Sequence, residues 1–138
     1  MNHFIFFHGV GIRSHFWYLI VPKLEEKSIE YSLIDLDFSS LDNAFESSIQ
    51  SVKEIMKKYP DRNFIIVGHS LGGLFAIYVA QQLGDIIHKL IFVNTGLLRQ
   101  NEELQVVQTF KKRLKMNLIY VNAEKEFLKK LKNVSDPE

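Results

Sequence analysis

Five short apolar runs recur along the chain, at residues 3–7, 31–36, 63–67, 89–94 and 117–121. Each is nearly continuous in β-branched, aromatic or aliphatic residues instead of alternating with polar ones. That is the pattern of parallel strands covered on both faces. Helical spacing fills the gaps. The first connection carries Phe16, Trp17, Leu19, Ile20 and Leu24, with Pro22 near the helix start. In the second, Phe45, Ile49, Val52, Ile55 and Met56 follow Asp42 at helical spacing, and Pro60 ends the segment. A third runs from Gly72 to about Leu83, with Gly84 as its C-cap. Leu104, Val107, Phe110 and Leu114 stripe a fourth that Asn101 can cap, and Phe127, Leu128 and Leu131 mark a short fifth. Such stripes are core faces.

Strand and helix therefore alternate five times. The pattern predicts an α/β protein, (βα)5, with a three-layer doubly wound five-stranded parallel sheet. No repeat, low-complexity tract or linker interrupts it, so residues 1–138 read as a single domain. The tail at 134–138, with Pro137, is expected to fray.

Composition narrows the class. The chain is 46% hydrophobic and 24% charged, and 17 basic side chains against 16 acidic ones leave a net charge of +1. No nucleic-acid partner and no membrane partner is expected from that balance. Lys111-Lys112-Arg113 and Lys129-Lys130 read as solvated helix faces. With no cysteine, disulfides, thiolate metal sites and cysteine nucleophiles are excluded. No apolar run approaches a membrane span, and Met1-Asn2-His3 leads straight into a strand-like segment. A cytoplasmic protein without cofactor or metal is the expectation; nothing in the pattern specifies an oligomeric state.

Two glycine turns carry the candidate chemistry. The run Phe64-Ile65-Ile66-Val67-Gly68-His69-Ser70-Leu71-Gly72-Gly73 is a buried-strand pattern leading through Gly-x-Ser-x-Gly into a helix. That is the sequence form of a nucleophile elbow, whose sharp turn lifts a serine hydroxyl over the end of a sheet. A plain tight turn or a phosphate cradle shares part of this pattern. Phe6-Phe7-His8-Gly9-Val10-Gly11 is the second turn, again directly after a strand. The backbone N–H groups of Val10 and Leu71 would together form a two-donor oxyanion hole.

On these pieces the chain resembles the α/β-hydrolase family, of the esterase, lipase and hydroxynitrile-lyase kind. The matching segments are FFHGVGIRSHFW, YSLIDLDF and FIIVGHSLGGLFAIYVAQ, spanning about residues 2–94. The resemblance implies Ser70 as nucleophile, Val10 and Leu71 as oxyanion donors, and a small ester as substrate. It also implies an acid after a later strand and a histidine after the last one. The five histidines are His3, His8, His15, His69 and His88, and none follows the fifth strand. His15, near the mouth of the site, is the candidate for an improvised base. His88 precedes a strand and belongs at the opposite end of the sheet. Glu124 stands where the acid would be, or simply begins a helix. An unassisted serine hydroxyl is a poor nucleophile near neutral pH.

The last third resembles a different family. Asn94-Thr95-Gly96-Leu97-Leu98-Arg99-Gln100-Asn101-Glu102, then 105–110, Leu118-Ile119-Tyr120-Val121 and 127–138 are similar to the ATP-pyrophosphatase domain of GMP synthases, over about residues 90–138. That resemblance implies a Ser-Gly-Gly-x-Asp-Ser phosphate loop, whereas this chain has Gly68-His69-Ser70-Leu71-Gly72-Gly73, without the aspartate. ATP pyrophosphatase activity is therefore not expected. Weak nucleotide or phosphate binding at the helix N-terminus remains open.

Joining the two at the strand after the elbow gives the flavodoxin-like strand order 2-1-3-4-5. The leading expectation is an engineered or chimeric scaffold, hydrolase-like over 1–94 and pyrophosphatase-like over 95–138, with a vestigial elbow. A minimal serine esterase using Ser70 is the alternative, and a nucleotide-binding domain or a fragment of a longer enzyme are the others.

Overall fold

The computed structural model describes residues 1–9 and 12–94 together with the backbone of 117–121. The expectations for Val10, the fourth and fifth helices, Glu124 and the tail at 134–138 lie outside the described residues. Four strands, β1 (Asn2–Phe7), β2 (Glu30–Ile34), β3 (Asn63–His69) and β4 (Ile87–Val93), form a parallel sheet in the order β2-β1-β3-β4. Three helices connect them: α1 (Val21–Glu26), α2 (Leu41–Lys58) and α3 (Gly72–Leu83).

The continuous apolar runs are explained by two covered faces. Side chains of a strand alternate between the faces of its sheet. Ile5 and Phe7 of β1, with Ile66, Leu90 and Phe92, pack beneath Phe75, Ala76 and Val79 of α3 and Val52 of α2. Phe4 and Phe6, with Ile65, Val67 and Ile91, pack on the other side against Trp17, Ile20 and Leu24. A strand buried on both sides has no position left for a polar residue.

Helix ends follow local chemistry. Ser40 caps α2, its side chain accepting the Asn43 N–H at 3.0 Å. Asp42, expected to begin this helix, instead sits inside its first turn, where the macrodipole favours a negative charge. Gly84 ends α3 at φ 64° and ψ −135°, a positive-φ conformation that glycine adopts without a Cβ clash. In the first connection the helix begins near Pro22, as expected, with a separate turn before it. Phe16 and Trp17 lie in a 3₁₀ turn (Ser14–Trp17), and α1 begins only at Val21 with Pro22 in its first turn. Proline has no N–H to donate and fits only such a first turn. The 3₁₀ turn is in turn held by Asp35, which accepts the Ser14 N–H at 2.8 Å. His88 lies inside β4, not before it, near its N-terminal end and exposed.

At that same end of the sheet His3 is buried, hydrogen-bonded through Nε2 to Ser32 Oγ at 2.8 Å and stacked 4.6 Å from the Tyr59 ring. Burial lowers its pKa below the ordinary 6.5, outweighing attraction to Glu30, while Arg62 and Lys58 push the same way. The folded state thus binds a proton on His3 less readily than the unfolded chain. That contribution is complete above about pH 6.5 and is lost as the pH falls through the lower folded-state value. Urea titrations at pH 7.5 and 5.5 are expected to show a fall in stability at the lower pH. In His3→Gln the fall should be smaller; an equal fall would remove His3 from the account.

Candidate functional site

The C-terminal ends of β1 and β3 bring the two glycine turns together. β1 and β3 are paired in register, Phe7 opposite Gly68, so the turns that follow them leave the sheet side by side. A Cβ built on Gly9 would lie 3.1 Å from Ser70 Cβ and 3.2 Å from the His69 carbonyl oxygen. Ser70 itself has φ 53°, a left-handed conformation that costs a residue with a side chain about 1–2 kcal/mol. Its N–H is tied to the Val93 carbonyl at 2.9 Å, and its own carbonyl accepts the Gly73 N–H at 3.1 Å. Strand, strained serine and helix start therefore form a nucleophile-elbow corner.

Glycine makes the corner possible by close backbone approach. A Cβ on Gly68 would come within 2.6 Å of Gly73 Cα, and one on Gly72 within 2.6 Å of the His8 carbonyl oxygen. Both obstacles are backbone, so relief requires moving α3 relative to the sheet. Leu71 is the N-cap residue of α3, half-buried, and no backbone carbonyl among the described residues accepts its N–H.

The imidazoles divide into distinct roles. His8 is 1% exposed and both ring nitrogens are used: Nδ1 donates to the Gly9 carbonyl at 2.8 Å, and Nε2 accepts the Leu36 N–H at 2.8 Å. A carbonyl can only accept and an N–H only donate, so this pair fixes the neutral Nδ1–H tautomer. His8 is a strut between the first turn and the end of β2. His69 leans into the opposite side, its ring 4.2 Å from Phe16 and 6.3 Å from Trp17. Burial lowers its pKa. His15 is exposed on the 3₁₀ turn and shares with Phe16 and His69 the wall of a cavity that Ser70 does not line. No hydrogen bond links His15 to Ser70 among the described residues. His3 and His88 are at the far end of the sheet. All five histidines of the sequence are accounted for, and none is hydrogen-bonded to the Ser70 hydroxyl.

Asp35 closes the other flank. The Ser14 N–H holds its carboxyl below the ordinary range, against partial burial, with Arg13 at 3.6 Å adding to the effect. It serves the 3₁₀ turn and not the serine. Asn94, after β4, was not a sequence candidate. It takes φ 48° and lines the cavity beside His69. An asparagine directly after an apolar run is the available signal, since it tolerates the left-handed region. Among the described residues no group of three or more His, Asp or Glu side chains could hold a metal ion. No helix of the described residues is long and apolar enough to cross a membrane.

A two-strand junction with a strained serine between glycines defines the α/β-hydrolase class, and the chain belongs to that family. Residues 2–118 match the family described as alpha/beta hydrolase fold. Among solved structures it is similar to a pyrethroid hydrolase from Sphingobium faniae JZ-2, with TM-score 0.58 and 26% identity over 67% of this chain and 39% of that one. A marine microorganism esterase is similar at TM-score 0.54 and 25% identity, over 67% and 37%. Among curated proteins it is similar to the GMP synthase of Natranaerobius thermophilus, 36% identical over 134 residues, covering 93% of this chain and 25% of that enzyme. The GMP synthase of Brachyspira hyodysenteriae is 41% identical over 90 residues, 63% of this chain and 17% of the enzyme. The chain thus spans a quarter or less of these synthases and about two fifths of the hydrolases. A stretch covering 63% of 138 residues necessarily includes β3, the turn and α3. The synthase likeness therefore reaches back from the last third into the elbow itself.

Gly72→Ala should destabilise the fold by about 1–3 kcal/mol, the usual cost of overpacking, measured by urea unfolding. Gly84→Ala, whose added Cβ would meet nothing within 4 Å, should cost only the backbone strain of its positive-φ conformation, about 1–3 kcal/mol. A Gly72→Ala variant as stable as the parent would contradict the close approach described above.

Proposed function

We propose that this chain is a hybrid α/β scaffold in which a hydrolase elbow is held in geometry but not equipped for turnover. The observation carrying this reading is the fate of the five histidines. His8 spends both nitrogens on backbone groups, His69 is packed on Phe16, His3 and His88 are at the other end of the sheet, and His15 makes no bond to Ser70. A serine without a base keeps only what an oxyanion hole and binding supply, a small part of a triad's acceleration. The hydrolase-like part is 1–94 and the pyrophosphatase-like part 95–138, folded as one domain of the cytoplasm with no nucleic-acid or membrane partner.

In this reading the sheet is completed to (βα)5 in the flavodoxin-like order 2-1-3-4-5. Support comes from the backbone of residues 117–121, which runs parallel to β4 with Lys89 opposite Asn117 and Val93 opposite Val121. A strand appended there buries the outer edge of β4 and leaves no unpaired row of amides on that side.

The second reading is a minimal esterase: Ser70 as nucleophile, the N–H groups of Val10 and Leu71 as oxyanion donors, His15 as base and a small ester as substrate. The strained φ of Ser70 and the nearness of Gly9 favour it. Nucleotide or phosphate binding at the start of α3 is disfavoured by the carbonyl oxygens of Phe7 and His8, which crowd Gly72. Carbonyl oxygens repel the anion that a helix N-terminus would otherwise attract.

Intact-mass analysis after treatment with a fluorophosphonate separates the two main readings. The scaffold reading expects no adduct on the folded protein. A stoichiometric adduct that disappears in Ser70→Ala would replace it with the esterase reading.

A further inference from the structure

Beside the elbow lies a cavity of about 410 Å³ whose walls include Phe16, Trp17, Tyr18 and Val93, with His15, His69 and Asn94 as polar edges. Ser70 is not among its lining residues, so what the cavity holds is independent of ester chemistry at that hydroxyl. Among the described residues none of the lining side chains is Lys, Arg, Asp or Glu, and its titratable groups are the imidazoles of His15 and His69. A charged ligand would lose its hydration there with no opposite charge in return, so the lining selects a neutral one. Size selects further. An apolar cavity of about 150 Å³ suffices for benzene, so this one has room for a substituted single ring or a fused pair.

The walls are flat. Phe16 lies against His69 with ring centroids 4.2 Å apart and against Trp17 at 5.0 Å with a 77° interplanar angle. The corner so formed offers an incoming ring one face and one edge, the two arrangements aromatic pairs prefer. His69 adds a directional group. Its Nδ1 is buried without a hydrogen-bond partner, and a Cβ on Gly9 would lie 3.3 Å from it. Nε2 is then the nitrogen left towards the cavity. A neutral imidazole nitrogen donates or accepts according to tautomer, and a hydroxyl group can meet either state.

We propose that this cavity is a binding site for a small uncharged aromatic alcohol, a phenol, with its ring in the Phe16–Trp17 corner and its hydroxyl on His69 Nε2. The protein carries its own reporter. Trp17 is the sole tryptophan, and it is part of the wall. Titration of the full chain with 4-bromophenol, whose bromine quenches indole emission on contact, should give saturable quenching. Bromobenzene should bind about fivefold more weakly, the worth of one neutral hydrogen bond. In His69→Phe the two compounds should bind alike. Phe16→Ala, which alters a residue already 37% exposed, should weaken both, and it decides the matter if His69→Phe fails to fold. Quenching that stays linear with concentration, equal affinity for the two compounds in the parent chain, or unchanged binding in Phe16→Ala would each overturn the proposal.

Discussion

At the corner between β3 and α3 three pieces of backbone meet with no side chain between them. Gly68 lies against Gly73, and Gly72 lies beneath the carbonyl oxygens that end β1. Everything at the C-terminal end of the sheet takes its position from that contact. It fixes how closely α3 lies on the sheet, and so which of its residues reach the core: Phe75, Ala76, Val79 and Ala80 do. It also turns Ser70 into a left-handed conformation and brings the β1 turn alongside. The strain at Ser70 persists because two backbone hydrogen bonds and the flanking packing over-determine it. The likeness to hydrolases and the likeness to GMP synthases overlap on this strand, turn and helix.

Polar satisfaction governs the interior around that corner. His8 is deep in the structure, yet it costs little because each ring nitrogen has a backbone partner. Its worth lies in joining two segments, the β1 turn and the end of β2, that share no strand ladder at that point. Asp35 extends the chain of contacts one step outward by holding the Ser14 N–H. The series from Gly9 through His8, Leu36 and Asp35 to the 3₁₀ turn is thus a continuous support for the aromatic wall formed by Phe16 and Trp17. A histidine used in this way is unavailable for proton transfer, since protonating Nε2 would forfeit the Leu36 hydrogen bond.

Much of this was legible in the sequence. The strands at 3–7 and 63–67 were readable because burial on both faces leaves an uninterrupted apolar run, and α3 because Gly72 and Gly84 bracket it. The elbow was readable because Gly68 and Gly72 occupy positions where no side chain fits. In the first connection Pro22 marks the start of α1, whereas the 3₁₀ turn before it, tied through Ser14 to Asp35, rests on a tertiary contact that local periodicity cannot reveal. The Ser40 cap of α2 was not among the signals the sequence analysis used. The pairing of His8 with Leu36 was also invisible, being a contact between segments 28 residues apart.

The place of β1 in the sheet carries a kinetic consequence. It is flanked by β2 on one side and β3 on the other, with Asn2 opposite Asn63. β1 therefore cannot be completed until some sixty further residues have followed it, and sheets built on such distant pairings assemble slowly. During that interval Phe4-Ile5-Phe6-Phe7 is an unpaired, uncharged β-forming segment, the kind that associates between chains. The inner position that protects β1 in the finished molecule leaves it vulnerable during synthesis.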